Sequence, residues 1–336
     1  MPTLVVLRAL ALGDFLTGLP ALRALRRAFP GHLCHLTCPR WLEPLARLTG
    51  VADRLLDGAS PAPGARGDGR AWVPDDPRER IPLEQAQLRG LVGAPRHPDV
   101  AVNLRGEREA TQRVLLALHP RRLIAYRNAA VPETAAGPAW REGEHEVARW
   151  CRLLAETGIP TDPTDLHLSV PLDGVPGVAR GATVIHPGAG SPARHWPVER
   201  WAAVARWEAG RGRPVLLTGA PHEVALAAEV AARAGLGPEH VLAGRTGVLD
   251  LAAILSAAAR VVCPDTGTSH LAVAVRTPSV TLCGPMPPSR WGPPVHLPCH
   301  RVLWAGTTGE PYAAEPDPGL LAIGVNDVLR AIEALD

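Results

Sequence analysis

Four short polar segments each follow an apolar run and carry side chains that could do chemistry. They are LGD at 12–14, HPGAGSPAR at 186–194, TGAPHE at 218–223 and DTGTSH at 265–270. Glycines let a backbone approach a ligand closely, an arginine or a helix N-terminus binds phosphate, and a carboxylate can accept a proton. These residue types suit a site that holds a phosphorylated ligand and moves a proton.

Asp14 stands where the first apolar run gives way to a helical pattern, just after Gly13, which would allow a tight turn. The dipole of a helix stabilises a carboxylate at its N-terminus as an anion, so Asp14 could act as a general base. Aspartate is also one of the commonest helix caps. Position alone leaves both interpretations open.

The segment at 186–194 combines a glycine-rich turn, with Ala189 between its two glycines, and a cation. Gly188 and Gly190 would let the backbone approach a diphosphate, and Arg194 would supply its counter-charge. In the third segment Glu223 could accept hydrogen bonds from ribose hydroxyls, or could equally be a solvated residue of a first helical turn.

The segment at 265–270 opens an alanine-rich helix directly after an apolar run. Free N–H groups at a helix N-terminus, with three hydroxyls around them, would form a cradle for an anion. A capping role would use one hydroxyl and leave the others unexplained. His270 is ambiguous, because a histidine beside an apolar helix face is often structural. The candidate residues are Asp265, Thr266, Gly267, Thr268, Ser269 and His270.

Eight apolar runs predict β-strands, and helical patterns lie between them. In the first helix a stripe of apolar residues at 15, 16, 19, 22 and 25 predicts one core-facing side. Strand alternating with helix is typical of parallel sheets with helices on both faces. The predicted strands are 3–8, 32–37, 99–104, 122–126, 182–187, 214–219, 260–265 and 279–284.

The length of 336 residues suggests two domains, and a stretch rich in proline and glycine at 170–181 predicts the linker. We therefore expect an α/β protein of two Rossmann-like, doubly wound domains facing across a cleft. Their predicted bounds are 1–172 and 182–324, followed by a helix at 325–336. Two further stretches, 57–80 and 127–145, read as irregular, and the first predicts a mobile loop that could close over a substrate.

Composition narrows the classes of partner. A net charge of +2 argues against nucleic acid. Since no window approaches 18 uninterrupted apolar residues, we expect no transmembrane contact. A peripheral membrane contact could use only arginine patches such as Arg23, Arg26 and Arg27.

The cysteines and known motifs exclude several site types. Six scattered cysteines and no recognisable leader favour a reducing, cytoplasmic location. His32, Cys34, His35 and Cys38 would alternate between the faces of a strand, so we predict no metal site there. The missing GxGxxG, GxSxG and Walker A patterns argue against a dehydrogenase, a simple hydrolase and a P-loop kinase.

Taken together, several motifs resemble glycosyltransferase family 9, the ADP-heptose:lipopolysaccharide heptosyltransferases. The resemblance spans both halves in the right order, and its strongest element is DTGTSHLA after an apolar strand, supported by LGD near the N-terminus. It implies a GT-B type fold, with the acceptor held mainly by the first domain and a sugar nucleotide by the second. The motifs are LRALALGDFLTGLPALRALRRAFP, HPGAGSPARHWPVERW, AGRTGVLDLAAILSAAARVVCPDTGTSHLAVAV and PSVTLCGP.

Position by position, Asp14 resembles the general base of the family, Glu223 a ribose-contacting residue, and 265–270 the loop that holds diphosphate and sugar. Arg194 stands where many relatives have lysine, which replaces a point charge by a planar fork. The resemblance implies inverting transfer of heptose, or a related sugar, from an ADP-sugar to an acceptor hydroxyl. No cofactor or essential metal is expected, because Arg194 and the helix N-terminus would absorb the charge of the leaving group.

The sequence leaves the acceptor open: a glycan, a lipid-linked sugar or a small molecule. It also leaves two other functions open. One is a sugar-nucleotide-binding protein that performs no transfer, against which Asp14 argues. The other is a sugar-nucleotide epimerase of the same architecture, in which Asp265 and His270 would be the acid and base.

Overall fold

The structure, a computed structural model of the chain, describes residues 1–8, 11–57, 91, 93–172 and 174–336. The chain passes from one compact unit to a second between Leu166 and His167, a few residues before the predicted linker. Apart from Asp57, the loop predicted at 57–80 lies outside the described residues.

The first unit contains a five-stranded parallel sheet of order β3-β2-β1-β4-β5. Its strands are β1 Thr3–Leu7, β2 Leu33–Cys38, β3 Arg54–Asp57, β4 Val100–Asn103 and β5 Arg122–Ile124. The described residues of this unit form the helices α1 Leu12–Ala28, α2 Glu43–Thr49, α3 Glu109–Leu116 and α4 Glu146–Glu156. The irregular stretch predicted at 127–145 holds only a short 3-10 turn, Pro132–Thr134.

Helix α1 shows how the apolar pattern determines the packing. The five residues of the predicted stripe are each at most 2% exposed, which confirms the core-facing side. The helix continues through Pro20 and packs against α4. Strand β1 runs apolar and buried from Leu4 to Leu7, as a strand covered on both faces requires. Together they fix the start of α1 at the carboxyl end of β1.

The second unit also contains a five-stranded parallel sheet, of order β10-β9-β8-β6-β7. Its strands are β6 Thr183–Ile185, β7 Val215–Leu217, β8 Arg260–Pro264, β9 Ser279–Cys283 and β10 His300–Trp304. Its helices are α5 Val198–Gly210, α6 Val224–Ala234, α7 Val248–Ala257, α8 Gly267–Ala274, α9 Pro288–Trp291, α10 Pro318–Ala322 and α11 Val325–Glu333.

Aromatic packing and the last helix stabilise the second unit. Trp196 and Trp201 meet edge to face with ring centroids 4.8 Å apart, and both are almost fully buried. Helix α11 buries Val328 and Ile332 completely and packs against α5. The helix predicted at 325–336 is therefore present and forms part of this core.

Among the described residues, no helix has both the length and the apolar character that crossing a bilayer requires.

The burial of His300 should make the free energy of unfolding depend on pH. It is buried at the start of β10, with Nδ1 2.9 Å from Ser279 Oγ, and burial lowers its pKa from 6.5 to about 4. As the pH falls below 6.5 the unfolded chain takes up this proton first, so stability is lost between pH 6.5 and about 4. The loss should reach about 3 kcal/mol. Urea unfolding of His300→Gln at pH 7.5 and 4.5 should show a smaller difference than the wild type.

The matched control for this prediction is His296→Gln, since His296 is exposed on the same segment. It should leave the pH dependence unchanged. An equal pH dependence in wild type and His300→Gln would contradict the assignment.

Candidate functional site

Each sheet has one point where the order of its strands reverses. In the first sheet this point lies between β1 and β4, and in the second between β6 and β8. In open parallel sheets, ligands bind outside the carboxyl ends of the strands that flank such a point. Asp14 follows β1, while the segments at 186–194 and 265–270 follow β6 and β8. These predicted residues therefore follow strands that flank the two reversal points, whereas Glu223 follows the edge strand β7.

Asp14 does not cap α1. The N-cap is Ala11, no side chain bonds to it as a cap, and Asp14 is the third residue of the first turn. Gly13 is the second helical residue, so the tight turn predicted there is wrong. The Asp14 carboxylate is partly buried and accepts no hydrogen bond from any described residue. Of the two interpretations left open by the sequence, the cap is excluded.

Arg8, the residue after β1, joins the two sides of the first reversal point. Its Nη1 donates to Leu104 O at 2.7 Å, and its Nε donates to Asp14 O at 2.9 Å. Its Nη2 donates to Thr17 Oγ1 at 2.9 Å. Only 3% of Arg8 is exposed. Arg8 was not predicted as a site residue, because it stands inside the first predicted strand, 3–8, and no local pattern sets it apart.

Arg105 places a second cation near Asp14. Asn103, buried at the end of β4, accepts the Arg105 backbone N–H at 3.0 Å and donates to Thr111 Oγ1 at 2.9 Å, which orders the turn. Burial lowers the pKa of Arg105 to about 10, and the charge of Asp14 opposes this shift. Arg105 Nε is buried without a hydrogen-bond partner among the described atoms. Arg105 was not predicted from the sequence either.

Arg194 bridges the reversal point of the second sheet in the same way. It ends a 3-10 turn, Pro192–Arg194, which Ser191 caps by accepting the Ala193 N–H at 3.3 Å. Its Nη1 donates to Asp265 O at 2.9 Å, across from β6 to β8. Its Nε is buried and has no hydrogen-bond partner among the described atoms. Arg194 thus has donor capacity left for a ligand.

Glu223 is buried rather than solvated. Its Oε2 accepts the Ala220 N–H at 2.7 Å and lies 3.7 Å from His186 Nε2. A Cβ on Gly188 would come 2.1 Å from Glu223 Cδ. The absence of a side chain at Gly188 therefore makes room for this carboxylate, and the approach of a ligand to Gly188 stays a prediction. Burial lowers the pKa of His186, whose Nδ1 lies 3.1 Å from Thr218 Oγ1.

The turn between these residues is also held from within. Ala189 is 6% exposed, and its carbonyl lies 3.2 Å from His195 Nε2. Gly190 would place a Cβ 3.5 Å from Arg194 Nη2, an ordinary contact. The glycine at 190 is thus not required by a neighbouring side chain.

The segment at 265–270 forms the start of α8, with Thr266 as its N-cap. Asp265 is buried, and its N–H donates to Leu282 O at 2.9 Å. Ser269 Oγ donates to Thr266 O at 2.6 Å, so this hydroxyl is used inside the first turn and not kept for a ligand. Thr268 is 3% exposed. The predicted cradle therefore consists mainly of backbone N–H groups.

His270 lies beside Asp265, with Nε2 4.0 Å from Asp265 Oδ1, and its ring meets Trp291 edge-on at 5.8 Å. Burial raises the pKa of the nearby thiols Cys263 and Cys283. Both cysteines therefore stay protonated near neutral pH and are unsuited to nucleophilic chemistry.

The chain is similar to known proteins in both sequence and fold. The model of the family described as "Glycosyltransferase family 9 (heptosyltransferase)" matches residues 134–303, half of the chain. The chain belongs to glycosyltransferase family 9. This confirms the family predicted from the motifs.

Curated relatives of this family 9 chain align over a limited region. Lipopolysaccharide heptosyltransferase 1 of Salmonella typhimurium is 37% identical over 100 residues, which are 30% of this chain and 31% of the relative. The protein of the same name from Escherichia coli is 36% identical over 100 residues, 30% of each chain. The match thus spans less than a third of the length of these relatives.

Solved structures match over nearly the whole chain. The glycosyl transferase family 9 structure from Veillonella parvula has a TM-score of 0.76 at 20% identity, covering 99% of this chain and 97% of that one. E. coli ADP-heptose lps heptosyltransferase II has a TM-score of 0.71 at 21% identity, covering 99% and 98%. E. coli heptosyltransferase WaaC with ADP has a TM-score of 0.68 at 20% identity, covering 99% and 100%. The predicted GT-B type fold of two Rossmann-like domains is confirmed.

Two other site predictions for the family 9 chain can be compared with the structure. Within the described residues, no three or more His, Cys, Asp or Glu side chains are grouped so as to hold a metal ion. Arg23 and Arg27 of α1 both pair with Asp165, at 2.7 and 2.9 Å, and Arg26 pairs with Asp53 at 2.7 Å. These arginines are thus engaged within the first unit.

Proposed function

We propose that this family 9 protein is an inverting glycosyltransferase that moves heptose, or a related sugar, from an ADP-sugar to an acceptor hydroxyl. The observation that carries the proposal is the bridge from Arg194 Nη1 to Asp265 O at 2.9 Å. It places a cation beside the N-terminus of α8, at the reversal point of the second sheet. The partial match to heptosyltransferase 1 proteins supports the sugar, and the likeness to WaaC with ADP supports the nucleotide.

The second unit would hold the donor. The fork of Arg194 and the N–H groups of Gly267 and Thr268 would bind the diphosphate and stabilise its charge as it leaves. Glu223 Oε2 accepts the Ala220 N–H, and Oε1, which lies 3.7 Å from His222 Nε2, would accept a ribose hydroxyl.

A groove beside Glu223 suits the base of the nucleotide. Its volume is about 550 Å³ and its lining is mainly apolar. Pro221 and Val224, which are close to Glu223 in the chain, contribute to the lining, as does Gly244. A flat purine ring buries apolar faces in such a groove. The order ribose then base along this edge fits a nucleoside diphosphate.

The first unit would supply the base. As the acceptor oxygen bonds to the anomeric carbon, the bond from that carbon to the diphosphate breaks on the opposite face, and Asp14 takes the hydroxyl proton. Its carboxylate is suited to this because no described residue occupies it with a hydrogen bond. Arg105, as a nearby cation, would contact the acceptor. We propose that the acceptor is a glycan, a lipid-linked sugar or a small molecule. No metal takes part in the proposed reaction, and the proposed location of the protein is the cytoplasm.

The alternative functions fit the site less well. A protein that only binds sugar nucleotides would have no use for a carboxylate at the reversal point of the first sheet that caps no helix and accepts no hydrogen bond from the described residues. An epimerase would use Asp265 and His270, whose side chains lie 4.0 Å apart, but it would also leave Asp14 without a role. The transferase uses both reversal points.

Binding of ADP to the second unit is the first expected result. A ligand present at a hundredfold excess over its Kd stabilises the native state by about 2.7 kcal/mol. For a unit of this size that corresponds to an increase in Tm of about 5–10 °C. Differential scanning fluorimetry with ADP, UDP, GDP and inorganic diphosphate measures this. We expect the largest shift with ADP, and the shift with ADP should persist in EDTA.

A Tm that does not respond to any nucleoside diphosphate at millimolar concentration would contradict the proposed donor site. Transfer itself is tested by mass spectrometry of products after incubation of ADP-heptose with a panel of acceptors. An ADP shift without any product would favour the binding-only alternative. Epimerised nucleotide sugar among the products would favour the epimerase.

A further inference from the structure

We propose that Arg8 is a positioning residue that holds the first turn of α1, and with it the Asp14 carboxylate, at a fixed place relative to the loop after β4. The inference rests on the proposed function, in which Asp14 is the base. It concerns a residue that does not itself meet the substrate, since 97% of its surface is covered.

The guanidinium of Arg8 donates hydrogen bonds both to the start of α1 and to the loop after β4. Nε and Nη2 donate to Asp14 O at 2.9 and 2.5 Å, and Nη2 also donates to Thr17 Oγ1 at 2.9 Å. Nη1 donates to Leu104 O at 2.7 Å, just beyond β4. Both strands that flank the reversal point are thereby tied to one planar group. A planar guanidinium fixes the direction of each bond, which a lysine cannot do.

The guanidinium is confined by its neighbours. Its central carbon lies 4.8 Å from the centroid of the Trp150 ring, in a cation–π arrangement. Trp150 is 2% exposed and is itself held by a bond from Nε1 to Glu146 Oε2 at 2.9 Å. A Cβ on Gly18 would come 2.6 Å from Arg8 Nε, so the backbone of α1 also packs closely against the guanidinium. Arg8 therefore has little freedom to move without taking the start of α1 with it.

No ion pair among the described residues compensates for the burial of the Arg8 charge. Each of its hydrogen-bond acceptors is neutral, and no carboxylate of the described residues lies within ion-pair distance. Burial lowers its pKa to about 10, so it remains protonated near neutral pH, and the charge of Asp14 is the interaction that favours the cation. Burying an unpaired cation is costly for folding alone. The role of Arg8 in holding Asp14 explains why the chain keeps a buried cation that is unfavourable for folding.

The test compares Arg8→Gln, Arg8→Lys and Gly18→Ala. The glutamine removes the fork and the charge, and the alanine displaces the guanidinium without altering Arg8 itself. A displacement of about 1 Å at a catalytic group can cost about 100-fold in rate, so we expect kcat to fall about 10- to 100-fold in Arg8→Gln and in Gly18→Ala. The KM for the ADP-sugar should stay within about twofold, because the donor binds the second unit. Arg8→Lys should recover part of the lost rate.

Two controls match the changes. Gly210→Ala changes a helical glycine at which the added Cβ would have nothing within 4 Å. Arg260→Gln removes another buried arginine, 4% exposed, at the start of β8 and away from the carboxyl ends of the strands. Gly210→Ala should keep the Tm and kcat, and Arg260→Gln should lower the Tm while keeping kcat.

A kcat within about threefold of wild type in Arg8→Gln and Gly18→Ala, with only the Tm lowered, would overturn the positioning role. Failure of the proposed function shows separately, as a wild-type protein without transferase activity. In that case hydrogen exchange decides the present inference. Faster exchange at the start of α1 in Arg8→Gln, but not in Arg260→Gln, would support it, and unchanged exchange would refute it.

Discussion

Replacing Asp14 by asparagine should lower kcat by about 10²–10⁴-fold, the usual contribution of a general base. The amide has the shape of the carboxylate but cannot take a proton. The cost to folding should be small, because Asp14 caps nothing and its carboxylate accepts no hydrogen bond from the described residues. The ADP-induced shift in Tm should remain as in the wild type, since the proposed donor site lies in the other unit.

The comparison variant is Asp53→Asn, which removes a carboxylate of the same unit that pairs with Arg26 at 2.7 Å. It should cost some stability and leave kcat unchanged. Turnover of Asp14→Asn within a few-fold of wild type, at saturating donor and acceptor, would show that Asp14 is not the base.

Replacing Arg194 by alanine should weaken ADP binding by about 1.5–3 kcal/mol, the value of a hydrogen bond to a charged group, or about 10- to 150-fold in Kd. The change removes the bridge to Asp265 O and a buried Nε that has no other partner among the described atoms. Arg194→Lys keeps the charge but loses the fork, so we expect a smaller loss. Isothermal titration calorimetry with ADP measures both.

Arg200→Ala provides the matched control in the second unit. Arg200 Nη1 donates to Leu321 O at 2.6 Å and to Ile323 O at 2.8 Å, so its loss should lower the Tm without changing the Kd for ADP. Equal affinities for ADP in the wild type and Arg194→Ala would mean that the diphosphate is bound elsewhere.

The sequence predicted every interior strand of the two sheets and one edge strand of each, β5 and β7, but missed the other edge strand of each sheet. All eight predicted strands are present, because buried parallel strands are continuous apolar runs that can be recognised locally. The two strands that were missed, β3 and β10, each lie at the edge of a sheet. Strand β10 has one buried residue followed by four that are exposed or half-exposed. An edge strand is covered on fewer sides, so its sequence does not need an apolar run.

At the site, residue types were predictable and partnerships were not. Asp14, Arg194 and the segment at 265–270 could be selected because each follows an apolar strand. Arg8 and Arg105 could not, since their importance depends on Asp14 being near both of them in space. No local pattern records which strands become neighbours in a sheet.

The contact between Gly188 and Glu223 restricts the order in which this site could change by mutation. A carboxylate seated on the Ala220 N–H and a methyl group at 188 exclude each other, as Cβ and Cδ would lie 2.1 Å apart. If alanine appears at position 188 while Glu223 is still present, the carboxylate is displaced. If the side chain at position 223 becomes shorter before that, the space for the methyl group is already empty. Each position is thus permissive or prohibitive for the other. Laboratory evolution of the proposed nucleotide site should therefore vary the two codons as a pair.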